Sequence, residues 1–129
     1  MRKMFLLFSH SLTNIQIEDG KNNLEVKDFV HLPKELQLLW SNIPSELVLL
    51  KEYLRPFRNF LAENSEYGDV VLIQGDFGAV YQMVNFAKDL GLKAVYATTQ
   101  RTIEEIVIEG KTVKESIFQH RRFREYGND

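Results

Sequence analysis

Residues 70–91 read VVLIQGDFGAVYQMVNFAKDLG, and this stretch decides the fold class. The apolar run at its start predicts a strand, Gly75 and Gly78 predict a turn, and the apolar residues that follow recur at helical spacing. In an open α/β sheet, the turn after such a strand lies at the carboxyl edge, where ligands bind. Glycine backbone and the free N–H groups of a helix start favour anions. The stretch therefore predicts a phosphate-bearing or otherwise anionic ligand.

Length and composition fit one globular domain that spans residues 1–129. The chain is 44% hydrophobic and 26% charged, which is ordinary for a soluble protein. No apolar run approaches the roughly 18 residues of a membrane-spanning helix, and Phe5–Phe8 is too short for the core of a signal peptide. Cysteine is absent, which excludes disulfides, thiolate nucleophiles and cysteine metal sites. We expect a cytoplasmic protein without a membrane partner.

Charge is distributed unevenly, although the formal net charge is only −2. Residues 103–109 carry three Glu and no basic residue, whereas five basic residues lie within 111–124 against the single Glu115. The small net charge does not indicate a partner of duplex nucleic acid. The basic cluster is either a solvated tail or a set of ligand contacts.

The first half of the chain predicts two strands, each followed by a helix. Thr13 and Gln16 fit a capping box, so the first helix begins near Asn14. The predicted elements are a strand over Met4–Phe8, a helix from Asn14 to about Leu24, a strand over Asp28–Leu32 and a helix from Pro33 to Trp40.

A long helix is predicted after Ser45, with Pro56 kinking or splitting it near Arg55. Its apolar residues alternate steps of three and four and so share one stripe: Leu47, Leu50, Leu54, Phe57 and Leu61. Such a stripe is either core or the seam of a dimer.

The second half predicts a strand over Val70–Gln74, a helix over Ala79–Leu90 and a strand over Leu92–Ala97. Residues 98–101 then form a loop. The segments 105–109 and 112–118 flank Gly110-Lys111, which suits a type II′ hairpin turn. The fold class is therefore α/β, with a mostly parallel sheet flanked by helices and a C-terminal antiparallel hairpin.

Three loops are predicted to meet at the carboxyl edge of the sheet: Ser9–Thr13, Gly75–Gly78 and Thr98–Arg101. Together they offer hydroxyls, a histidine, a carboxylate, glycine backbone and an arginine. This set suits a phosphodiester, because a guanidinium and N–H groups bind phosphate oxygens. No carboxylate or histidine cluster has the spacing of metal ligands, so we expect neither a metal nor a cofactor.

Two histidines are candidates for contact with the ligand. His10, between Ser9 and Ser11, directly follows a strand and could exchange a proton near neutral pH, or it is a surface residue beside a helix cap. His120, beside Arg121 and Arg122, could reach a ligand, or it belongs to a basic surface strand.

The turn after the third strand has several interpretations. Asp76 could cap the following helix, bind a ribose or an adenine edge, or act in catalysis. Phe77 could stack on a base or cover the core. The turn matches neither the dinucleotide fingerprint Gly-x-Gly-x-x-Gly nor the P-loop.

Four segments together resemble a known family over nearly the whole chain. They are FLLFSHSLT at 5–13, LIQGDFG at 72–78, VYATTQR at 95–101 and SIFQHRRFREY at 116–126. They are similar to the small stand-alone accessory proteins of type III CRISPR systems, which are CARF-related, Rossmann-like ring nucleases.

The resemblance implies a homodimer that binds a cyclic oligoadenylate, with cyclic tetra-adenylate as the expected ring, and cleaves it without metal by attack of a ribose 2′-hydroxyl. Cleavage would switch off the antiviral signal. A module that only binds, sequesters or senses the ring is the first alternative. A structural domain whose basic tail contacts RNA or the CRISPR effector is the second.

Within this hypothesis, His10 transfers a proton and Arg101 stabilises charge. Arg121 and Arg122 close over the ring from the hairpin. The residues predicted to bind the ligand are Ser9, Ser11, Gln74, Gly75, Asp76, Phe77, Gly78, Thr98, Thr99, His120, Arg121 and Arg122.

Overall fold

The computed structural model describes residues 2–129, which form a five-stranded sheet in the order β2-β1-β3-β4-β5. Its elements are β1 (Arg2–Leu7), α1 (Asn14–Asn23), β2 (Val26–His31), α2 (Lys34–Ser41), α3 (Arg55–Asn64), β3 (Val70–Ile73), α4 (Phe77–Asp89), β4 (Lys93–Ile108) and β5 (Lys111–Glu125). The first four strands are parallel and β5 is antiparallel to β4. The mixed α/β class with an antiparallel C-terminus is thus confirmed.

Alternating burial along the central strands explains why the sheet has helices on both faces. Phe5 and Leu7 of β1 belong to a core with α2, α3 and α4. Met4 and Leu6 point to the opposite face and belong to a second, smaller core on the side of α1. Successive strand residues point to opposite faces, so an unbroken apolar run is what a strand covered on both sides requires.

The start of α1 agrees with the predicted capping box. Thr13 Oγ1 accepts a hydrogen bond from Gln16 N at 3.3 Å, and Thr13 N donates to Gln16 Oε1 at 2.9 Å. Gly20 has a packing role inside this helix, because an added Cβ would lie 3.0 Å from the ring of Phe29. The small residue therefore lets α1 approach the sheet closely.

The first half of the helix predicted from Ser45 is wrong, because residues 42–54 form turns and irregular structure, whereas its second half is the helix α3, which begins at Arg55. Pro56 lies in the first turn of α3 instead of kinking a longer helix. Proline suits that position, where its missing N–H would have no intrahelical partner. Leu54, Phe57 and Leu61 are fully buried, so the core interpretation holds for this part of the stripe.

The C-terminal hairpin is much longer than the sequence predicts. Residues 98–101 are part of β4, so the predicted loop Thr98–Arg101 is wrong. The turn is centred on Glu109-Gly110, both with positive φ (52° and 77°), as in a type I′ turn. The type II′ turn at Gly110-Lys111 is therefore also wrong. The paired segments 98–108 and 111–122 are called the ribbon below.

The remaining strands and helices lie within two residues of their predicted bounds. Only residues 93–95 of β4 pair with β3, and β5 alone accompanies β4 beyond that point. The polar residues 98–101 satisfy their backbone groups through this single neighbour. A strand that pairs on one side only needs no apolar face and can consist of polar residues. The polar composition of residues 98–101 therefore suggested a loop.

Candidate functional site

Two adjacent parallel strands, β1 and β3, end side by side. Leu7 is the register partner of Ile73, and each strand then opens into a polar segment. The chain leaves β1 towards β2 on one side, while β3 lies on the other side. Such a point of reversed strand order forms a crevice at the carboxyl edge of a sheet. Segments 9–13 and 74–78 follow these two adjacent strand ends; they are called the first and second walls of the crevice below.

His10 is exposed on the first wall of the crevice. Its ring lies edge-on to Phe8, with 5.5 Å between ring centroids. The backbone beside it is held by α2, because Gln37 Nε2 donates to the carbonyl of Phe8 at 2.9 Å. Ser41 Oγ lies 3.3 Å from Ser9 Oγ. The imidazole is thus accessible to solvent, and the backbone that carries it is anchored.

Gln74 joins three elements at the second wall. Its side-chain Oε1 accepts from Ala97 N at 2.7 Å, which ties β3 to β4. Its carbonyl accepts from Trp40 Nε1 at 2.9 Å, which ties β3 to α2. A Cβ on Gly75 would lie 3.1 Å from that same indole nitrogen. Trp40 therefore packs against the glycine turn and fixes its position.

Asp76 caps α4, with Oδ1 accepting from Ala79 N at 3.0 Å. This geometry matches the first of its three interpretations. Phe77 is 94% exposed, so it does not cover the core. The first amides of the helix, at Phe77 and Gly78, have no intrahelical acceptor because of their position. They leave two N–H groups at the positive end of the helix dipole, just beyond the end of β3.

An open groove of about 320 Å³ continues from this wall between α4 and the end of β5. It is lined by Gln74, Gly75, Phe77, Val80, Tyr96 and Tyr126. The two tyrosine rings lie 4.7 Å apart, and Arg124 Nη1 donates to Tyr96 Oη at 2.9 Å. Sequence reasoning missed both tyrosines, because only the fold brings the chain's end to α4.

Tyr126 also closes the carboxyl end of β3. Its hydroxyl donates to the carbonyl of Ile73 at 2.6 Å. Burial, together with the neighbouring Tyr96, raises the pKa of the Tyr126 phenol above its ordinary value. The hydroxyl is therefore neutral and acts as a donor at physiological pH, while its ring remains part of the groove.

The third predicted loop is absent, and its residues lie on the ribbon. The Thr98 hydroxyl donates to the Arg122 carbonyl at 3.0 Å and accepts from Arg122 N at 3.2 Å. Arg101 donates through Nε and Nη2 to Ser116 Oγ at 3.1 and 2.9 Å. It stands about 10 Å along the strand from Thr98. Of these two residues, Thr98 thus lies nearer to the carboxyl edge of the parallel strands.

A β-bulge at the base of the ribbon decides where His120 points. Thr98 pairs with Arg122 and Thr99 pairs with His120, so Arg121 has no residue opposite it. The extra residue reverses the alternation of side chains, and His120 and Phe123 therefore share the face that carries α1. Their rings lie 4.8 Å apart.

His120 is paired with Asp19 of α1. The His120 Nε2 and Asp19 Oδ2 atoms lie 2.7 Å apart, and the two side chains are 4% and 12% exposed. Asp19 also accepts from Phe123 N at 3.2 Å and from Asn23 Nδ2 at 2.6 Å. Sequence reasoning missed Asp19, because nothing local links it to a residue 101 positions away.

Hydrogen bonds determine the charge of Asp19. Burial by itself raises the pKa of this carboxyl, but the bonds from Asn23, His120 and Phe123 outweigh burial, so the pKa lies below the ordinary 3.8. Asp19 is therefore an anion at neutral pH. The other ring nitrogen of the partner, His120 Nδ1, is buried without a hydrogen-bond partner.

Arg121 and Arg122 open onto a separate polar groove of about 300 Å³, which Asp19, Asn23, Leu24 and Phe123 complete. Both arginines are exposed, and neither forms an ion pair within residues 2–129. The predicted site residues thus divide between two regions, the strand ends and the ribbon. Residues 9–11 and 74–78 follow the ends of β1 and β3, whereas Thr98, Thr99 and Arg101 lie on the ribbon and His120, Arg121 and Arg122 lie at its base beside α1.

Within the part of the chain that the structure describes, no three His, Asp or Glu side chains are arranged to hold a metal ion. No helix in residues 2–129 is long and apolar enough to cross a membrane.

The fold defines a mixed α/β protein with a partly antiparallel sheet, and polar residues follow two of its parallel strands at the carboxyl edge. Residues 2–124 match the family described as "Uncharacterized protein MJ1673 family", and the chain belongs to this family. It is 52% identical over 126 residues to "Uncharacterized protein MJ1673" of Methanocaldococcus jannaschii, with 98% of each chain covered. No solved structure matches the chain.

Proposed function

We propose that the protein is a cytoplasmic, metal-independent ring nuclease of the CARF-related, Rossmann-like kind. It would bind cyclic oligoadenylate, with cyclic tetra-adenylate as the preferred ring, and cleave it to switch off type III CRISPR signalling. The observation that carries the proposal is the crevice between β1 and β3. An accessible histidine follows β1 and a helix N-terminus follows β3, at adjacent strand ends where the strand order reverses.

Phosphate binding follows from the two walls. The amides of Phe77 and Gly78 lie at the start of α4, where a helix attracts anions. Ser9 and Ser11 offer hydroxyls from the opposite wall, and both are exposed. Neutral donors of this kind hold phosphate oxygens in place without needing a bound cation.

Adenine binding is supported by the aromatic groove beside the crevice. Phe77 presents its ring to solvent, and the paired rings of Tyr96 and Tyr126 lie along the same groove. Stacking of a base on an aromatic ring contributes about 1–3 kcal/mol. An exposed phenylalanine in the first turn of a helix contributes nothing to the core, so a stacking role is a direct use for it.

The reaction proposed is an internal transesterification. A ribose 2′-oxygen forms a bond to the adjacent phosphorus while the bond from phosphorus to the 5′-oxygen breaks. His10 takes the 2′ proton, or donates a proton to the leaving 5′-oxygen, which is worth about 10²–10⁴-fold in rate. The products are linear and end in a 2′,3′-cyclic phosphate. Arg101, which the ribbon holds beyond the crevice with its guanidinium bonded to Ser116 Oγ, would have to reach the ring to stabilise the negative charge on the non-bridging oxygens of the phosphorane, and it is assigned to that role.

The ring's symmetry favours a homodimer, because each protomer would supply the same loops to equivalent phosphates. Thr98 and Thr99 begin the ribbon at the carboxyl edge and are assigned to phosphate positioning, for which the Thr98 hydroxyl would exchange its bond to the Arg122 carbonyl for one to a phosphate oxygen. Arg121 and Arg122 have no ion-pair partner within the described residues. They are assigned to closing over the ring from the ribbon base.

One observation favours the alternative, a protein that binds and sequesters the ring without cutting it. Most of the acid–base groups nearby have structural roles. Asp76 caps α4, His120 pairs with Asp19, and Tyr126 donates to Ile73. His10 then remains as the accessible imidazole at the crevice. A protein that only binds the ring would not need an imidazole there.

Incubation of excess protein with cyclic tetra-adenylate in EDTA distinguishes the two functions. Mass spectrometry should detect linear products ending in a 2′,3′-cyclic phosphate, and the same assay with rings of three and six adenylates gives the size preference. Intact ring after long incubation, together with binding measured by calorimetry, would support sequestration. Intact ring without binding would contradict both functions and favour the structural alternative.

A further inference from the structure

The ribbon exposes apolar side chains although it contacts little of the remaining molecule. From Thr99 to Gln119, every residue is exposed except Thr102, Ile106 and Ile117, which are half-buried. The largest exposures among its apolar residues are those of Val107 (72%), Phe118 (66%) and Ile103 (61%). A two-stranded antiparallel pair is only marginally stable alone in water. A ribbon of this length with exposed β-branched and aromatic residues therefore suits a surface that another protein covers.

The base of the ribbon is anchored, so the surface has a defined orientation. Asp19 accepts from both His120 and Phe123 of β5, which fixes the start of the ribbon against α1. Thr98 bonds to both backbone groups of Arg122 across the two strands. The bulge at Arg121 lies between these two attachments. The ribbon is thus an arm with a fixed root rather than a free loop.

The two faces of the ribbon differ in charge. Residues directly opposite in an antiparallel pair point to the same face. Glu105 is opposite Lys114, on the face that also carries Ile103, Val107 and Phe118. This is called the Phe118 face.

The opposite face carries like charges at its middle. Glu104 is opposite Glu115 there, between the pairs Thr102–Ile117 and Ile106–Val113. Like charges directly opposite each other are destabilising. Stacking two such faces would bring four carboxylates together, whereas two Phe118 faces could place each Glu105 near the partner's Lys114.

We propose that the Phe118 face packs against the same face of a second copy of this chain, so that the two ribbons form the core of a homodimer. A second copy of the chain is the expected partner because the Phe118 face is complementary to itself. A two-fold axis along the ribbons stacks β4 of one copy over β5 of the other. Glu105 of each chain then lies over Lys114 of its partner. These contacts stand whether or not the ligand is a cyclic oligoadenylate.

Sedimentation velocity over a dilution series, without ligand, tests the interface. The wild type should be a dimer, and Val107→Lys and Phe118→Lys should each raise the dissociation constant by at least about tenfold. The matched control is Ile108→Lys, which adds the same charge to a 52%-exposed isoleucine on the opposite face. Circular dichroism verifies that each variant is folded.

If a lysine substitution disturbs the ribbon itself, an exchange of the charges at Glu105 and Lys114 still tests the interface. Glu105→Lys and Lys114→Glu should each weaken the dimer, and the double variant should restore it. A wild type that stays monomeric at every concentration overturns the proposal. Dimerisation unchanged in Val107→Lys and Phe118→Lys, or lost equally in Ile108→Lys, overturns it as well.

Discussion

Apolar strand residues are buried in the body of the molecule, residues 2–97, but many of them are exposed in the ribbon. In β1 and β3, apolar side chains on both faces are buried between α1 and the other helices. In the ribbon, apolar side chains on both faces are exposed. The difference shows that an apolar pattern in a strand predicts burial only where the chain itself supplies a covering layer. Residues 2–129 supply no such layer for the ribbon.

The largest expected effect contrasts an isoleucine in the body with one on the ribbon. Ile73→Ala removes a fully buried side chain and should lower the free energy of unfolding by about 2–5 kcal/mol. Ile108→Ala removes the same atoms from an exposed position off the proposed interface and should change it by less than about 0.5 kcal/mol. Urea unfolding measures both. Equal losses would show that the ribbon belongs to the cooperative core.

The next effect concerns the contact of Asp19 in α1 with His120 and Phe123 in β5, which attaches the ribbon to the body and is called the joint below. Asp19→Ala removes the acceptor for His120 Nε2 and Phe123 N, and leaving such groups unsatisfied costs about 1–3 kcal/mol. Hydrogen exchange should become faster at the ribbon base, residues 118–123, than in β1 and β3. Asp89→Ala, at an exposed position of α4, is the control. Uniformly faster exchange in Asp19→Ala would mean that Asp19 stabilises the whole fold rather than this joint.

The same carboxylate makes the joint sensitive to acid. The pKa of Asp19 is below 3.8 in the folded protein, so its contribution to stability is present above that value and is lost as the pH falls through the folded pKa. Asp19→Asn should therefore be less stable than the wild type at neutral pH, and the difference should shrink below pH 3.8. Urea midpoints over a pH series measure this. An equal trend in Asp89→Asn would remove the assignment to Asp19.

The smallest effect compares two non-glycine residues with positive φ. Glu25 precedes β2 in the body (φ 57°) and Glu109 forms the ribbon turn (φ 52°). Asparagine tolerates this conformation better, so Glu25→Asn should raise the melting temperature by a few degrees at most, which corresponds to well under about 1 kcal/mol. Glu109→Asn creates the Asn-Gly pair favoured in type I′ turns. It should slow hydrogen exchange in the ribbon only.

Local signals predicted the body well because each agreed with the final packing. The capping box at Thr13, the run Val70–Ile73 and the cap at Asp76 each specify structure within a few residues. Segment 45–54 was misjudged because leucines at helical spacing continue into α3, although Val48 and Leu49 are largely exposed. Periodicity across a proline-flanked segment is thus a weak predictor.

The ribbon and part of the candidate site depended on contacts that no local pattern reports. The predicted loop at 98–101 is a strand because β5 supplies its backbone partners from about 20 residues away. The pair His120–Asp19 requires both the bulge at Arg121 and the position of α1. Tyr126 joins the groove only because the C-terminus returns to the end of β3. Residues that meet through topology were therefore the ones that sequence reasoning missed.

The central claim, that the crevice between β1 and β3 performs the chemistry, is tested most directly by single-turnover cleavage of cyclic tetra-adenylate in EDTA. His10→Ala should lower the rate constant at least about tenfold while the dissociation constant stays near that of the wild type. His31→Ala, an exposed histidine at the end of β2, should leave both unchanged. A rate constant that does not change in His10→Ala would contradict the claim.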